Sequence, residues 1–324
     1  MKLASVSVPS GRAVVVAALG TEPSYLLDVE GYRRHAAAVA DAPLAETDRL
    51  APTMRDLLAG GSAAMAEVAT LVAAAAAQVA AEGVESLAAQ ELVVAESEVV
   101  FQAPVPNPGK MIFAGRNYRA HREEVGLDED RGEAPTFFAK YPSTLTGHAT
   151  NIEVPWFSDQ IDYEIELAVV IGTQCRDVEP RDALGVVAGY TVTNDVSARN
   201  FQLTEKNAIF LGKNFDTAAP MGPWLVTADE VGDPTNLDIE CRVDGEVRQQ
   251  GNTSSMLWSI AELIAYASRL TLEPGDIVST GTTNGCAYGQ PPGAERDRLL
   301  LRPGQVLESE ISGVGLLRNP IADS

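Results

Sequence analysis

The stretch that decides the fold is DYEIELAVVIG, which runs from Asp162 to Gly172. Its second half is an unbroken apolar run ending in glycine, which is typical of a buried β-strand. Its first half carries two carboxylates, Glu164 and Glu166, separated by one residue. Side chains alternate along a strand, so residues two apart share a face with Cβ atoms roughly 7 Å apart. Two like charges placed in this way repel each other unless a cation lies between them.

A second acidic position favours a cation over the simpler alternative, a solvated strand face on which each Glu meets water or a lysine. The run GYTVTNDVSARNFQ (189–202) also has β character and places Asp195 at its end. A lone Asp in such a position most often caps a helix. Three carboxylates from separate segments would instead offer oxygen ligands alone, which select a hard ion such as Mg²⁺ or Mn²⁺. Such a site leaves ligand positions open for a 2-oxo acid.

The composition excludes several classes of protein. The chain has 324 residues, 45% hydrophobic content and a net charge of −21, so a phosphate backbone would be repelled and nucleic acid is not expected as a partner. Its three cysteines are far apart and odd in number, which favours a reducing cytoplasm over a disulfide framework. With three histidines in all, a multi-histidine metal site is not expected.

Neither the N-terminal run nor the Ala-rich stretch predicts a membrane protein. Pro9, Gly11 and Arg12 interrupt the apolar N-terminal run where a signal peptide would need a continuous core. The Ala-rich stretch at 62–83 contains Glu67 and Gln78, and alanine contributes little insertion energy. We therefore expect a soluble helix there and no membrane partner.

The chain divides into two parts of different character. Residues 1–105 predict a β-hairpin, Ala-rich helices and a short strand near ELVVA. The segment FQAPVPNPGK, with three prolines and a glycine, is a plausible boundary. Residues 106–324 contain short β-rich runs at irregular distances, together with one helix in MLWSIAELIAYASRL. This pattern favours a mixed or antiparallel β architecture over a doubly wound sheet. The phosphate-binding glycine loops, the Gly-x-Ser-x-Gly elbow and the His-Glu-x-x-His motif are all missing from the sequence.

Six blocks in order resemble the fumarylacetoacetate hydrolase family and span about 110 to 320. They are GRNYRAHREE, PTFFAK, DYEIELAVVIG, GYTVTNDVSARNFQ, GKNFDTAAPMGP and LEPGDIVSTGTTNG. The resemblance implies an α+β, β-rich fold, a mixed β-sandwich roll with a small N-terminal α/β domain. It also implies a divalent metal, Mg²⁺ or Mn²⁺, and a homodimer.

The resemblance also assigns roles to single residues. Glu164, Glu166 and Asp195 match the metal ligands of the family. His121 and Glu124 match a His/Glu pair in a mobile lid. Residues three apart lie on one face of a helical turn, so Glu124 can accept a proton from one ring nitrogen while the other nitrogen acts as a base.

Five further residues match family positions around the substrate. Lys213 matches a lysine that faces the bound substrate, where a cation would stabilise an enolate or oxyanion. Arg199 and Gln202 match polar positions that contact substrate, and they follow Asp195 by four and seven residues, as on one face of a helix. Thr282 matches a contact to the substrate carboxylate. Lys140 matches a position near the site that supports the ligands.

The implied activity is a metal-dependent hydrolysis of a C–C bond in a 2,4-dioxo acid, such as an acylpyruvate, by way of an enolate. This would place the protein in aromatic catabolism. Three alternatives remain open: decarboxylation of an oxaloacetate-like 2-oxo acid, isomerisation of a 2-hydroxy-diene-dioate, and a non-catalytic sensor that retains the fold. The same site would serve all of the reactions, so the residues alone do not separate them.

The sequence departs from the family pattern near its end. The family's Gly-Thr-Pro is Gly281-Thr282-Thr283 in this chain and is followed by Cys286. No histidine is placed by sequence to activate this thiol, so we do not expect a cysteine nucleophile. The acidic segment EEVGLDEDRGEAP (123–135) is either a flexible loop that closes over the substrate or a solvated surface.

Overall fold

The computed structural model describes residues 1–20, 25–42, 44–45, 48–50, 52–128, 130–202 and 208–324. The strands are β1 Lys2–Ser7, β2 Ala13–Ala18, β3 Tyr25–Asp28, β4 Val93–Ala95, β5 Val100–Phe101, β6 Met111–Gly115, β7 Thr136–Ala139, β8 Leu145–Thr146, β9 Ile152–Val154, β10 Ile161–Asp162, β11 Ile165–Ile171, β12 Val187–Asn194, β13 Ser197–Ala198, β14 Ala219–Thr227, β15 Asp238–Val243, β16 Glu246–Asn252, β17 Ile277–Thr282, β18 Val306–Ile311 and β19 Gly315–Asp323. The α-helices are α1 Val29–Val39, α2 Met54–Ala59, α3 Gly61–Glu82, α4 Val84–Ala88, α5 Arg119–Glu124, α6 Arg199–Gln202, α7 Ala208–Lys213, α8 Ala228–Val231, α9 Ile260–Ala267 and α10 Ala294–Leu299.

Strand β11 lies near the middle of a 12-stranded sheet, in which ten strands follow the order β4-β3-β2-β1-β14-β12-β11-β17-β6-β7. The other two strands, β5 and β8, pair with β1 and β14. Both neighbours of β11, namely β12 and β17, are antiparallel to it. Leu167 and Val169 point into one hydrophobic cluster, and Ala168 and Val170 point into another. Because both faces are covered, the strand has an apolar run in place of alternation.

A second sheet, with the order β16-β15-β18-β19-β9, packs over the face of β11 that carries Leu167 and Val169. Ile239 and Leu307 of that sheet belong to the same cluster. The other face is covered by the helices of the N-terminal part, through residues such as Val68. These two layers confirm the predicted α+β, β-rich fold.

The N-terminal part continues the large sheet. The predicted hairpin is present as β1 and β2, and β1 pairs antiparallel with β14, with Leu3 opposite Leu225. Helix α3 covers this end of the sheet with a stripe that includes Val68 and Ala75. The division at residue 105 stays a prediction, although the sheet runs across it.

By its length and composition, helix α3 could cross a membrane. Of its most apolar 18-residue stretch, 17% is buried. One helix of this kind is weak evidence of a span, because a helix of a soluble protein meets the same criterion. The expectation of a soluble helix stays a prediction.

One predicted element is shorter in the structure than in the prediction. The helix expected over MLWSIAELIAYASRL is confined to α9, because the Ser259 side chain forms a capping box with Glu262 and starts the helix there. The run LDIECRVDGEV is a hairpin, with Asp244 and Gly245 turning the chain between β15 and β16.

Candidate active site

Three buried carboxylates meet at the N-terminal end of β11. Ligand oxygens of Glu164, Glu166 and Asp195 all lie within 4.8 Å of one another. Glu166 is in β11 and Asp195 directly follows β12, but Glu164 lies just before β11 and not within it. The backbone explains this difference, because the Glu164 amide donates to the Asn194 side chain at 2.8 Å and the Glu164 carbonyl accepts from the Asp195 amide at 2.8 Å. These bonds replace a regular ladder and bring Asp195 beside the glutamates.

Three buried cations hold two of these carboxylates. The ammonium of Lys213 donates to Glu164 at 2.7 Å and to Asp195 at 2.5 Å. Lys140 donates to the other Asp195 oxygen at 2.6 Å. Arg199 donates to the other Glu164 oxygen at 2.6 Å. Each oxygen of Glu164 and Asp195 therefore has a cationic partner.

Glu166 is held by neutral donors. The Ser279 hydroxyl donates to one of its oxygens at 2.5 Å and the Gly281 amide donates to the same oxygen at 3.1 Å. Burial raises the pKa of Glu166 well above its ordinary value, and the charges of Asp195 and Glu164 raise it further. Burial and the neighbouring carboxylates therefore favour the protonated form of Glu166 unless a cation compensates them.

Glu164 has the opposite environment. Burial alone would raise its pKa, but the charges of Arg199 and Lys213 outweigh burial and hold the pKa well below the ordinary range. Burial acts to lower the pKa of Lys213, and its two carboxylate partners raise the pKa above the ordinary value. Burial is also the largest effect on Lys140 and lowers its pKa.

The residues present fit a hard divalent cation. The cluster offers carboxylate oxygens alone, the donors that Mg²⁺ and Mn²⁺ prefer. The Lys213 ammonium already bridges Glu164 and Asp195 in the way that a cation would. Neither the presence nor the identity of the metal follows from this arrangement, so the ligand roles stay a prediction.

The predicted general base His121 and its partner Glu124 lie on the short helix α5, beside the carboxylates. Nδ1 of His121 is 3.3 Å from Oε2 of Glu124, three residues later in the same helical turn. The other Glu124 oxygen accepts from the Gly285 amide at 2.8 Å, which ties α5 to the segment that follows β17. Ligand atoms of His121, Glu164 and Cys286 lie within 4.8 Å of one another.

The sequence-based argument about Cys286 was wrong in one respect, because a histidine does lie beside it. Its Sγ is 3.9 Å from Nδ1 of His121 and 4.0 Å from Oε2 of Glu124. The histidine is 165 residues away in the chain, a separation that no local motif could bridge. Burial raises the pKa of the Cys286 thiol well above its ordinary value, so a thiolate nucleophile is disfavoured.

The remaining predicted residues are placed as follows. Gln202 accepts from Nη1 of Arg199 at 2.6 Å, in the short helix α6. The Thr282 hydroxyl donates to the Ile165 carbonyl at 2.8 Å and accepts from Gln249 at 2.9 Å. These bonds hold Thr282 within the sheet, so its predicted contact to substrate would compete with them.

Arg131 of the acidic segment contacts α9 and the residue Trp258 before it. Arg131 donates to Glu262 of α9 at 3.0 Å and stacks on the Trp258 ring at 4.0 Å. Closure over a substrate stays a prediction for this loop.

Sequence reasoning missed Asp162, which is fully buried beneath the site. One of its oxygens accepts from Nε of Arg199 at 2.8 Å and from the Tyr288 amide at 2.9 Å, and the other accepts from the Ala287 amide at 2.8 Å. Asp162 therefore holds in place both Arg199 and the Ala287–Tyr288 backbone, which follows the segment bonded to Glu124. The signal was present, because Asp162 and the two glutamates alternate in DYEIE.

Comparison with known proteins supports the resemblance noted from the sequence. Residues 110–322 match the family description "Fumarylacetoacetate (FAA) hydrolase C-terminal". The mitochondrial oxaloacetate tautomerase Fahd2a of Rattus norvegicus is 40% identical over 238 residues, an alignment that covers 73% of this chain and 74% of that protein.

Two solved structures are similar over the full length of the chain. The fumarylacetoacetate hydrolase of Exiguobacterium antarcticum has a TM-score of 0.73 with 28% identity and 100% coverage of both chains. The maleylpyruvate hydrolase of Sphingobium sp. SYK-6 has a TM-score of 0.70 with 27% identity and 100% coverage of both chains.

Proposed function

The chain belongs to the fumarylacetoacetate hydrolase family, and we propose that it is a divalent-metal-dependent enzyme that interconverts the keto and enol forms of a small 2-oxo acid. The observation that carries the proposal is the position of the His121–Glu124 pair beside the Glu164, Glu166 and Asp195 carboxylates. A proton carrier next to a cation site is what enolisation beside a 2-oxo group requires.

Keto–enol conversion is favoured by the similarity in sequence. The mitochondrial oxaloacetate tautomerase of Rattus norvegicus is 40% identical to this chain over 238 residues, which supports a tautomerase activity. The two oxygens of Glu124 already bind the Gly285 amide and His121. Only the second ring nitrogen of His121 is left to exchange a proton.

Glu164, Glu166 and Asp195 would hold the cation, Mg²⁺ or Mn²⁺, which supplies Lewis-acid polarisation of the 2-oxo group when bound. His121 takes the proton from the carbon next to the oxo group and returns it to the oxo oxygen. Glu124 holds Nδ1, so the ring keeps the tautomer whose other nitrogen accepts the proton.

Cationic side chains stabilise the negative charge that develops. Lys213 stays protonated because its carboxylate partners raise its pKa against the opposing effect of burial, which is the largest single influence. An ammonium beside the enolate oxygen lowers the barrier in a site that excludes water. Arg199 and Gln202 would orient the acid, and Nη1 of Arg199 donates a hydrogen bond to the Gln202 side chain at 2.6 Å. Lys140 would act indirectly, because its ammonium holds the Asp195 carboxylate in place.

Hydrolysis of a C–C bond in a 2,4-dioxo acid, the reaction expected from the sequence, is the second candidate. The similarity of the whole chain to a fumarylacetoacetate hydrolase and to a maleylpyruvate hydrolase favours it. In that reaction the free nitrogen of His121 would take a proton from water instead of from carbon.

A product assay separates the candidates. Purified protein with Mg²⁺ or Mn²⁺, and with EDTA as control, is given the enol form of oxaloacetate and, separately, an acylpyruvate. Metal-dependent loss of enol absorbance at unchanged mass supports tautomerisation, whereas pyruvate with a free acid means hydrolysis and CO₂ means decarboxylation. Absence of metal-dependent turnover on both acids would contradict the proposal and favour a sensor.

Several expectations from the sequence remain proposals. They are a homodimer, a cytoplasmic location, a role in aromatic catabolism, and the absence of nucleic-acid and membrane partners. The acidic net charge of −21 supports the view on nucleic acid.

A further inference from the structure

His121, Glu124 and Cys286 form a compact triangle beside the carboxylate cluster. Nδ1 of His121 lies 3.3 Å from Oε2 of Glu124. Sγ of Cys286 lies 3.9 Å from the same ring nitrogen and 4.0 Å from the same carboxylate oxygen. An imidazole nitrogen, a thiol sulfur and a carboxylate oxygen, all of which bind transition metals, therefore face one another. The proposed function uses His121 and Glu124 but gives Cys286 no part.

The distances within this triangle are close to those around a tetrahedral zinc ion. Zinc bonds of about 2.0–2.3 Å at tetrahedral angles place the ligand atoms roughly 3.3–3.6 Å apart. The nitrogen-to-oxygen distance of 3.3 Å already agrees with this spacing. The two sulfur distances, 3.9 and 4.0 Å, exceed the spacing by about 0.4 Å. A small movement of the thiol would complete a set of three protein ligands and leave the fourth position to water.

Glu124, and not Glu164, is the carboxylate with an oxygen available to such an ion. A Glu164 oxygen also lies within 4.8 Å of the histidine and cysteine ligand atoms. Both Glu164 oxygens, however, accept hydrogen bonds from the buried cations Arg199 and Lys213. Oε1 of Glu124 accepts from the Gly285 amide at 2.8 Å, which leaves Oε2 facing the thiol and the ring. Hydrogen bonds of this kind orient metal ligands.

The triangle is buried among groups of mainly negative charge. Cys286 is fully buried, and the side chains of His121 and Glu124 are 7% and 13% exposed. The charges with the largest effects on the thiol belong to three carboxylates and one arginine, namely Asp162, Glu164, Glu124 and Arg199. This surplus of negative charge favours a dication over an anion. Because burial raises the pKa of the thiol, the ion must displace a proton, which passes to solvent, before the sulfur binds it.

We propose that His121, Glu124 and Cys286 bind zinc, or another dication that accepts thiolate and imidazole ligands, at a site beside the carboxylate cluster but not part of it. Sulfur and nitrogen ligands suit zinc, whereas Mg²⁺ and Mn²⁺ prefer oxygen ligands. The two neighbouring sites therefore select different ions.

Zinc at this site inactivates the general base. A neutral imidazole carries one proton, so a metal on Nδ1 leaves that proton on the other nitrogen, Nε2. In the proposed reaction Nε2 of His121 has to accept a proton, and Oε2 of Glu124 has to hold Nδ1. Bound zinc prevents both. The loss of activity rests on the proposed function, whereas the binding of the ion does not.

The binding is tested with Co²⁺ as a spectroscopic substitute for zinc, in reduced protein with excess Mg²⁺ to occupy the carboxylate cluster. Coordination by a thiolate gives Co²⁺ a charge-transfer band in the near ultraviolet. Wild type should develop this band, and so should the control Cys175→Ala, which removes a free thiol outside both candidate ligand groups of the described residues. Cys286→Ala, or Cys286→Ser if the alanine variant does not fold, should show no band. A missing band in wild type, or a band that persists without Cys286, overturns the inference.

The contribution of Glu124 is measured in the same titration. Glu124→Gln should raise the Kd of Co²⁺ at least roughly tenfold, because even the loss of a residue that only orients a metal ligand costs that much. Glu123→Gln, at an exposed position of the same helix, is the matched control and should keep the Kd of wild type. A Glu124→Gln variant with the Kd of wild type overturns the ligand set.

The loss of activity is tested with Zn²⁺ added to the Mg²⁺-loaded enzyme, and each protein is compared with its own zinc-free rate. Wild type should be inhibited, and Cys286→Ala should need at least roughly tenfold more Zn²⁺ for half inhibition. No inhibition of wild type, or equal inhibition of both proteins, overturns the inhibitory role. If wild type converts no 2-oxo acid even without zinc, the proposed function fails, and the Co²⁺ band then decides by itself whether the site exists.

Discussion

The candidate active site has two walls that treat the same kind of side chain in opposite ways. The charged wall consists of Glu164 and Asp195 with Lys213, Lys140 and Arg199, in which each carboxylate oxygen has a cationic partner. The neutral wall consists of Glu166 with Ser279 and Gly281, in which the donors carry no charge.

The comparison separates burial from charge as a cause of a pKa shift. Both glutamates are buried, and burial by itself acts to raise the pKa of each. In Glu164 the cations reverse this effect, whereas in Glu166 the neighbouring carboxylates add to it. The cations therefore favour the ionised form of Glu164, whereas burial and the neighbouring carboxylates favour the protonated form of Glu166 until a further cation compensates it.

The largest expected effect comes from removing the charged wall at its centre. Glu164→Ala deletes the shared partner of Arg199 and Lys213, so we expect loss of metal binding and of turnover. We also expect about 3 kcal/mol lower stability, because buried charges are left uncompensated. Metal titration by calorimetry and thermal unfolding measure these effects. Glu164→Gln, which keeps the shape, should lose metal binding and retain more stability; full metal affinity in either variant would remove Glu164 from the ligand set.

His121→Ala tests whether the His121 side chain transfers protons without being a ligand of the metal. We expect a decrease in kcat of about 10²–10⁴-fold, the usual contribution of a general base. Metal affinity should stay at the wild-type value, as measured by the same calorimetric titration. Glu124→Gln should produce a smaller decrease, and a metal affinity that falls with His121→Ala would show that the ring is a ligand.

The neutral wall predicts a pH dependence of stability in the metal-free protein. Because the folded-state pKa of Glu166 lies above the unfolded value, the folded state binds more protons, and stability falls as pH rises through the folded-state pKa. Glu166→Gln imitates the protonated carboxyl and should abolish this fall. Unfolding temperatures of wild type and Glu166→Gln across pH, with EDTA present, measure the difference.

The contribution of Glu164 to stability should change with pH in the opposite direction. The folded-state pKa of Glu164 lies below its unfolded value, so its contribution is present above the unfolded pKa and is lost as pH falls. Curves for Glu166→Gln and wild type that run parallel at all pH values would contradict the assignment of the proton to Glu166.

The smallest effect is expected at Cys286, which contacts His121 and Glu124 but belongs to neither the charged wall nor the neutral wall. Its thiol stays protonated because burial raises its pKa, so Cys286→Ala should change kcat by less than about threefold. Steady-state kinetics with the preferred 2-oxo acid measure this change, and thermal unfolding controls for misfolding. A loss as large as that of His121→Ala would assign chemistry to the thiol.

The sequence determined that the strand after the two glutamates is buried, and it determined the residue types of the site. The apolar run at 167–171 had to be buried on both faces. The resemblance of six ordered blocks brought Glu164, Glu166, Asp195, His121 and Lys213 into consideration. These features follow from local periodicity and from motif order, both of which can be seen in one dimension.

Only the tertiary structure decided which side chains meet. Cys286 reaches His121 across 165 residues, and Asp162 links Arg199 to the segment after β17. The opposite pKa shifts of Glu164 and Glu166 depend on cations contributed by distant elements. Electrostatic environment is set by distances in space, and these distances exist only once the sheets have packed.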